Sequence, residues 1–120
     1  MKNDDSQKPY DLEDRTFNFA KARRTFVKAL PRTIANIEDV KQFVRASGSV
    51  GANYIEANEA IEKKDFVMKI KICRREAKES GYWLRLLDTG EKLEVQRDNL
   101  VGEETELMKI FGAIIRKSEE

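Results

Sequence analysis

Histidine is absent from this 120-residue chain, and cysteine occurs once, at Cys73. Without histidine there is no Ser-His-Asp triad, no Cys-His dyad and no Glu-x-x-His ligand set of the kind that holds di-iron centres in helical bundles. One cysteine and no histidine cannot build a structural zinc site, and a lone thiol cannot close an internal disulfide. Cys73 falls among the apolar positions of a helical pattern, which reads as a core residue in a reducing, cytoplasmic setting. Glycine is scarce, six in all, and Gly48 and Gly51 have neither the spacing nor the lysine of a phosphate-binding loop. No apolar run approaches the roughly 20 residues of a membrane span, and Met1 to Tyr10 holds no apolar stretch of a secretion signal. The expectation is a soluble cytoplasmic protein with no membrane partner, no cofactor, no metal and no catalytic residues.

What is present is helix-forming material. Charged residues make up 38% and hydrophobic residues 40%, with only two prolines, a balance typical of long amphipathic helices. The length suits one domain with a sizeable core. The pattern predicts an all-α, antiparallel up-down four-helix bundle over residues 10–120, preceded by a flexible tail at 1–9. Helix one, about 11 to 30, carries Leu12, Phe19, Ala20, Phe26, Val27 and Leu30 on one stripe and stops at Pro31. Asn36 followed by Asp39 predicts the N-cap of helix two, about 37 to 60. That helix has two apolar seams: Ile37, Val40, Val44, Ser47, Gly51, Tyr54 and Ile61, then Phe43, Ala46, Val50 and Ala57. A helix apolar on more than one side is central or meets another chain, so Phe43, Ala46, Val50 and Ala57 are the expected oligomer interface. Glycine inside a helix costs about 1 kcal/mol relative to alanine. Gly48 and Gly51 therefore argue for a close packing neighbour, with a kink at Gly48 as the alternative. Helix three, 65 to 88, carries Phe66, Ile70, Cys73, Ala77, Leu84 and Leu87, with Gly90 past its end as a C-terminal cap. A polar, irregular connection from 89 to 99 leads to helix four, about 100 to 117, with Leu107, Met108, Phe111, Ile114 and Ile115 on one face.

Five stretches carry a family resemblance: DLEDRTFNFA at 11 to 20, VKALPRT at 27 to 33, RASGSVGANYIEA at 45 to 57, DFVMKIKICRREAKESGYWLRLL at 65 to 87 and IFGAIIRK at 110 to 117. The specific part is Ser49-Val50-Gly51-Ala52-Asn53-Tyr54-Ile55-Glu56-Ala57, followed by Asp65-Phe66 and Tyr82-Trp83. Residues 11–117 thus resemble the four-helix-bundle proteins of the 23S rRNA intervening sequences. Glu62 departs from the pattern, since members often have a serine cap there. The resemblance implies the bundle, a ring-shaped homopentamer and no established enzymatic activity. The chain also looks like the accessory proteins of diversity-generating retroelements, which act with a reverse transcriptase and RNA and are more strongly basic.

Two constellations invite chemistry. Glu56-x-x-Glu59 and Glu76-x-x-Glu79 resemble the carboxylate pairs with which all-α nucleotide pyrophosphatases hold magnesium. If helices two and three meet near residues 60 to 63, antiparallel partners have numbers summing to about 123. The two pairs are then offset by roughly 13 Å along the axis, too far for one ion, while Glu76 and Glu79 fall beside Ser47 and Arg45. Structural pairing is the expectation. Of Tyr82 and Trp83, adjacent in sequence, at most one faces the core, leaving the other for an oligomer contact.

Charge is segregated. No acidic residue lies between Arg15 and Ile37, and Lys63 to Lys78 is strongly basic, whereas Glu91, Glu94, Asp98, Glu103, Glu104 and Glu106 make the approach to helix four acidic. One reading makes Lys21, Arg23, Arg24 and Lys28 of helix one, with Lys71, Arg74, Arg75 and Lys78 of helix three, a surface for RNA, DNA or a protein partner. The other pairs these cations with acidic helix four, within or between subunits. Net charge of +1 favours the second. The expected function is a non-enzymatic, self-associating interaction scaffold. An RNA-binding accessory protein is the alternative, and a magnesium-dependent nucleotide pyrophosphatase a distant third.

Overall fold

The computed structural model of the chain describes residues 11–120, so the tail expected at 1–9 lies outside the described residues. Four helices follow one another: α1 (Leu12–Val27), α2 (Ile34–Asn58), α3 (Lys63–Leu86) and α4 (Glu94–Ser118), with a short 3-10 turn at Glu91–Leu93 leading into the last. No strand occurs among the described residues. Packing is heaviest between α2 and α3, substantial between α3 and α4 and between α1 and α2, and thin between α1 and α4. This is the expected up-down bundle, with α1 and α3 on opposite diagonals.

Two helix starts differ from expectation. Thr33, in extended backbone, caps α2 by accepting the Asn36 N–H at 3.0 Å. Asn36 sits one turn inside. Its amide donates to Pro31 O at 2.9 Å and Asp88 O at 2.8 Å, and its carbonyl accepts the Asp88 N–H at 2.9 Å. One buried side chain thereby ties the α1–α2 turn to the α3–α4 turn. Glu62 takes the N-cap of α3 without a side-chain bond. Helix α4 begins at Glu94, six residues before the expected position. Its inner side starts with the half-buried Arg97, whose guanidinium donates to Leu87 O at 2.9 Å. Gly90, at φ 69°, makes the turn between the two helices.

Helix α2 runs unbroken through Gly48 and Gly51. A Cβ on Gly51 would stand 2.9 Å from Thr16 Oγ1 of α1. Close packing is therefore the reason for that glycine, and the close neighbour belongs to the same subunit.

The core is divided. One apolar cluster joins Leu12, Phe19, Val50, Tyr54, Ala57, Ile70, Cys73, Ala77, Leu107, Phe111 and Ile115. The other joins Phe26, Leu30, Phe43, Leu84, Leu87 and Leu93 at the opposite end. Between them, at matching levels of the four helices, lie the buried polar residues Arg23, Ser47, Ser80 and Glu104. Burial pushes the Cys73 thiol up to about 12, as suits a packed, inert sulfur.

Phe43, Ala46, Val50 and Ala57, expected at an oligomer interface, are buried inside the subunit, none more than 1% exposed. The physical reason is that α2 packs heavily on both α3 and α1, so both of its apolar sides are consumed internally. Ile37 and Ile61, assigned to the other seam, are exposed instead, Ile61 having fallen beyond the end of the helix.

Candidate functional site

Lys71, Arg74, Arg75 and Lys78 follow the i, i+3, i+4, i+7 spacing that puts side chains on one helical face. They line a cleft of about 260 Å³ between α3 and α4, with Met108 and Ile115 from α4 completing its walls. Gly112 of α4 lies beside Arg74: a Cβ there would lie 3.4 Å from Arg116 Nη1 and 4.0 Å from Arg74 Nε, ordinary contact distances. Two guanidinium groups thus flank a position without a side chain. Lys71 pairs with Glu119 at 3.3 Å and Arg75 with Glu76 at 3.7 Å. Exposed pairs like Lys71–Glu119 contribute little, about 0–1 kcal/mol. Arg74 and Lys78 have no hydrogen-bond or ion-pair partner among the described residues.

The helix-one half of the expected basic surface is arranged differently. Arg23 is fully buried. Its guanidinium lies 3.4 Å from the Phe19 ring centroid and donates to Phe19 O at 3.3 Å and Leu100 O at 2.6 Å. Desolvation lowers its pKa to about 10 despite the nearby Glu104 and Glu103. It joins α1 to α4 and cannot serve a surface. Arg24 folds back on its own helix, donating to Ala20 O at 3.2 Å, with Nη2 3.0 Å from where a Gly48 Cβ would stand. Lys21 Nζ lies 5.7 Å from the Phe17 ring, and Lys28 is exposed. Because α1 and α3 are diagonal, the structure splits the expected continuous basic face in two.

Pairing with the acidic helix is limited within the subunit. Arg15 makes a bidentate bond to Glu103, Nε to Oε2 at 3.0 Å and Nη2 to Oε1 at 3.1 Å, which raises the arginine pKa. Arg24 and Arg74 do not reach α4's carboxylates, and Arg75 turns to Glu76. Glu104 points inward. Burial raises its pKa, opposed by Arg85 and Arg23, and its Oε1 has no hydrogen-bond partner. A Cβ at Gly81 would stand 1.9 Å from that oxygen, so the carboxyl occupies space that only glycine leaves on α3. Sequence reasoning passed over this contact. The available signal was an unexplained glycine inside α3 and an acid at position 104, in phase with Leu107 and Phe111.

A second groove, about 350 Å³, runs between α1 and α2, with Phe17 and Ile55 on its rims and Ala20, Gly48, Gly51 and Ala52 among its lining. The carboxylate pairs behave as ion-pair partners. Arg45 binds Glu76 at 3.6 Å and also Glu79, and Lys69 binds Glu56 at 2.5 Å, which bears out the register expected for α2 and α3. Among the described residues no cluster of three or more His, Cys, Asp or Glu is placed to hold a metal ion, and no helix is long and apolar enough to cross a membrane.

These features define an all-α four-helix bundle with a cation-lined cleft between α3 and α4 and a groove of mixed lining between α1 and α2. The chain belongs to the 23S rRNA-intervening sequence protein family, whose profile matches residues 10–113. It is similar to a crystal structure of a protein of unknown function from the S23 ribosomal protein family of Bacteroides thetaiotaomicron, at 31% identity and a TM-score of 0.73, covering 86% of this chain and 96% of that one. No curated protein matches it. Neither the family description nor the structural neighbour's names a catalytic activity.

Proposed function

We propose that the protein is a non-enzymatic, self-associating interaction scaffold whose subunits meet through the α1–α2 groove. The observation that carries this reading is the pair of exposed rims. Phe17 is 60% and Ile55 52% exposed, in a groove whose lining joins Ala20, Gly48, Gly51 and Ala52 with the charged side chains of Glu13, Lys21 and Arg24. Such a seat admits a bulky apolar side chain or a helix ridge. The element of a second copy that fits it is the outer face of α3. There Tyr82 and Leu86, one turn apart, are both about half exposed, while the adjacent Trp83 packs against the core. Tyrosine is favoured at interfaces because it buries a large ring and keeps a polar tip.

Groove and ridge are different surfaces, so the contact is heterologous and closes into a ring when the rotation permits. The homopentamer implied by the family resemblance is such a ring. Light scattering at micromolar concentration tests this directly, with an assembly larger than a dimer expected. Phe17→Glu removes the groove and Leu86→Glu the ridge, and each variant alone should be monomeric and folded. Mixed, they should recover a dimer through the one intact groove and the one intact ridge. A monomeric wild type, or no recovery on mixing, overturns the reading.

A further inference from the structure

From the α3–α4 cleft we infer that the protein binds the phosphate backbone of a nucleic-acid duplex without reading its sequence. This goes beyond the scaffold reading: the cation row shares the outer face of α3 with Tyr82 and Leu86 but uses none of the residues of that ridge. Four observations carry it. The cations at 71, 74, 75 and 78 all line one cleft. Seven residues of helix advance roughly 10 Å, the axial rise of about three phosphates on one duplex strand. Within that row Arg74 and Lys78 are unpaired among the described residues, and the Arg116 guanidinium lies beside Gly112 close to Arg74. The carboxylates at hand compete weakly: Glu119 is half exposed where it meets Lys71, and Glu76 meets Arg75 only at 3.7 Å.

The form of nucleic acid follows from what else lines the cleft. Its remaining lining is Met108 and Ile115, with no aromatic ring. Proteins that hold unpaired strands stack the bases on aromatic side chains. One ring, the half-exposed Tyr82 a turn beyond Lys78 on the same face, stands outside the cleft lining, and a single ring is no platform for successive bases. The cleft suits a partner that presents phosphates outward and keeps its bases stacked on one another, which is a duplex. Lysine and arginine aimed at phosphates carry no base discrimination.

The test is fluorescence anisotropy of the full chain with a labelled 20-base-pair duplex and with the unpaired strand of the same length, between 50 and 200 mM salt. With four contacts, duplex affinity should fall on the order of a hundredfold across that range. It should exceed single-strand affinity at every salt concentration and be indifferent to sequence. Replacing Arg74 and Lys78 together with glutamine should lower the slope of log K against log salt by about 1.8 and leave the helical spectrum unchanged. Lys21→Gln with Lys28→Gln, on the opposite diagonal, should leave it unaltered. Glu119→Gln frees Lys71 and should tighten binding. Absence of duplex binding at 50 mM salt, equal or tighter single-strand binding, or a slope that survives the Arg74/Lys78 pair, each overturns the inference. Scaffold assembly is read separately by light scattering; of these positions only Lys21 lines the α1–α2 groove, and none is Phe17, Ile55, Tyr82 or Leu86.

Discussion

The α2–α3 seam and the α1–α4 seam are held together in opposite ways. Along α2–α3 the helices meet over their whole length. Phe43, Ala46, Val50 and Ala57 of α2 and Ile70, Cys73, Ala77 and Leu84 of α3 are buried in a largely apolar interior, and ion pairs from Arg45 and Lys69 run along its edge. The α1–α4 edge is thinly packed and held by polar links, the Arg15–Glu103 fork and the bond from Arg23 to Leu100 O. An open space of about 940 Å³ lies against it, lined by Phe17, Phe19, Arg23, Leu100 and Glu103 among others. Apolar area removed from water stabilises by roughly 25 cal/mol per Å², whereas exposed ion pairs contribute about 1 kcal/mol at most. The first seam is the structural body of the subunit, and the second is its thinly packed edge.

Three substitutions probe that contrast. Phe43→Ala deletes a fully buried ring at the α2–α3 seam and should cost about 3–5 kcal/mol, read from urea unfolding midpoints. A loss below 1 kcal/mol would mean that this seam is not the main source of stability. Glu104 gives an intermediate effect with a definite pH dependence. Its carboxyl holds a proton more tightly folded than unfolded, because burial raises the folded pKa. Stability therefore falls as pH rises from the ordinary glutamate range through the raised folded value, and each tenfold difference in proton affinity is worth about 1.4 kcal/mol. Glu104→Gln should remove that component, so the gap between variant and wild-type stability should widen with pH over the same window. Parallel curves would show that the carboxyl titrates alike in both states. The smallest effect belongs to Arg15→Gln. Both partners are about a third exposed, so global stability should drop by only about 0.2–1 kcal/mol. Hydrogen exchange should nonetheless speed up across α1 before it does in α2 or α3.

The parts of this fold that were legible in the sequence are those whose inward positions are aliphatic or aromatic. Phe66, Ile70, Cys73, Ala77 and Leu84 announce α3, and Leu107, Phe111 and Ile115 announce the second half of α4. The register of α2 on α3, and with it the Arg45–Glu79 pair, followed from the short turn between them. Illegible were the inward positions held by charged side chains. Arg97 hid the first turns of α4, and Arg23 and Glu104 were read as surface because charge alone cannot signal burial. The second seam of α2 was misassigned for a different reason. Amphipathicity records that a face is covered, and it does not say whether the cover belongs to the same chain. The basic residues of α3 share one face, as their spacing predicts. Their separation from those of α1 depended on the diagonal placement of the two helices, which periodicity does not encode.

The polar waist has one further consequence, for uniqueness. A bundle whose helices met only through methyl groups and rings would tolerate several alignments of nearly equal energy, one helix sliding past the next by a turn. Here Glu104 occupies the gap above Gly81. A slide of α4 by one turn in either direction would bring its carboxyl to the level of Ala77 or Leu84, both fully buried. The same kind of slip in α1 would carry Arg23 away from Leu100 O, with its charge still buried. Burying an uncompensated charge costs several kcal/mol. The charged layer acts as a key cut for one lock, rejecting misaligned packings that an all-apolar interior would accept.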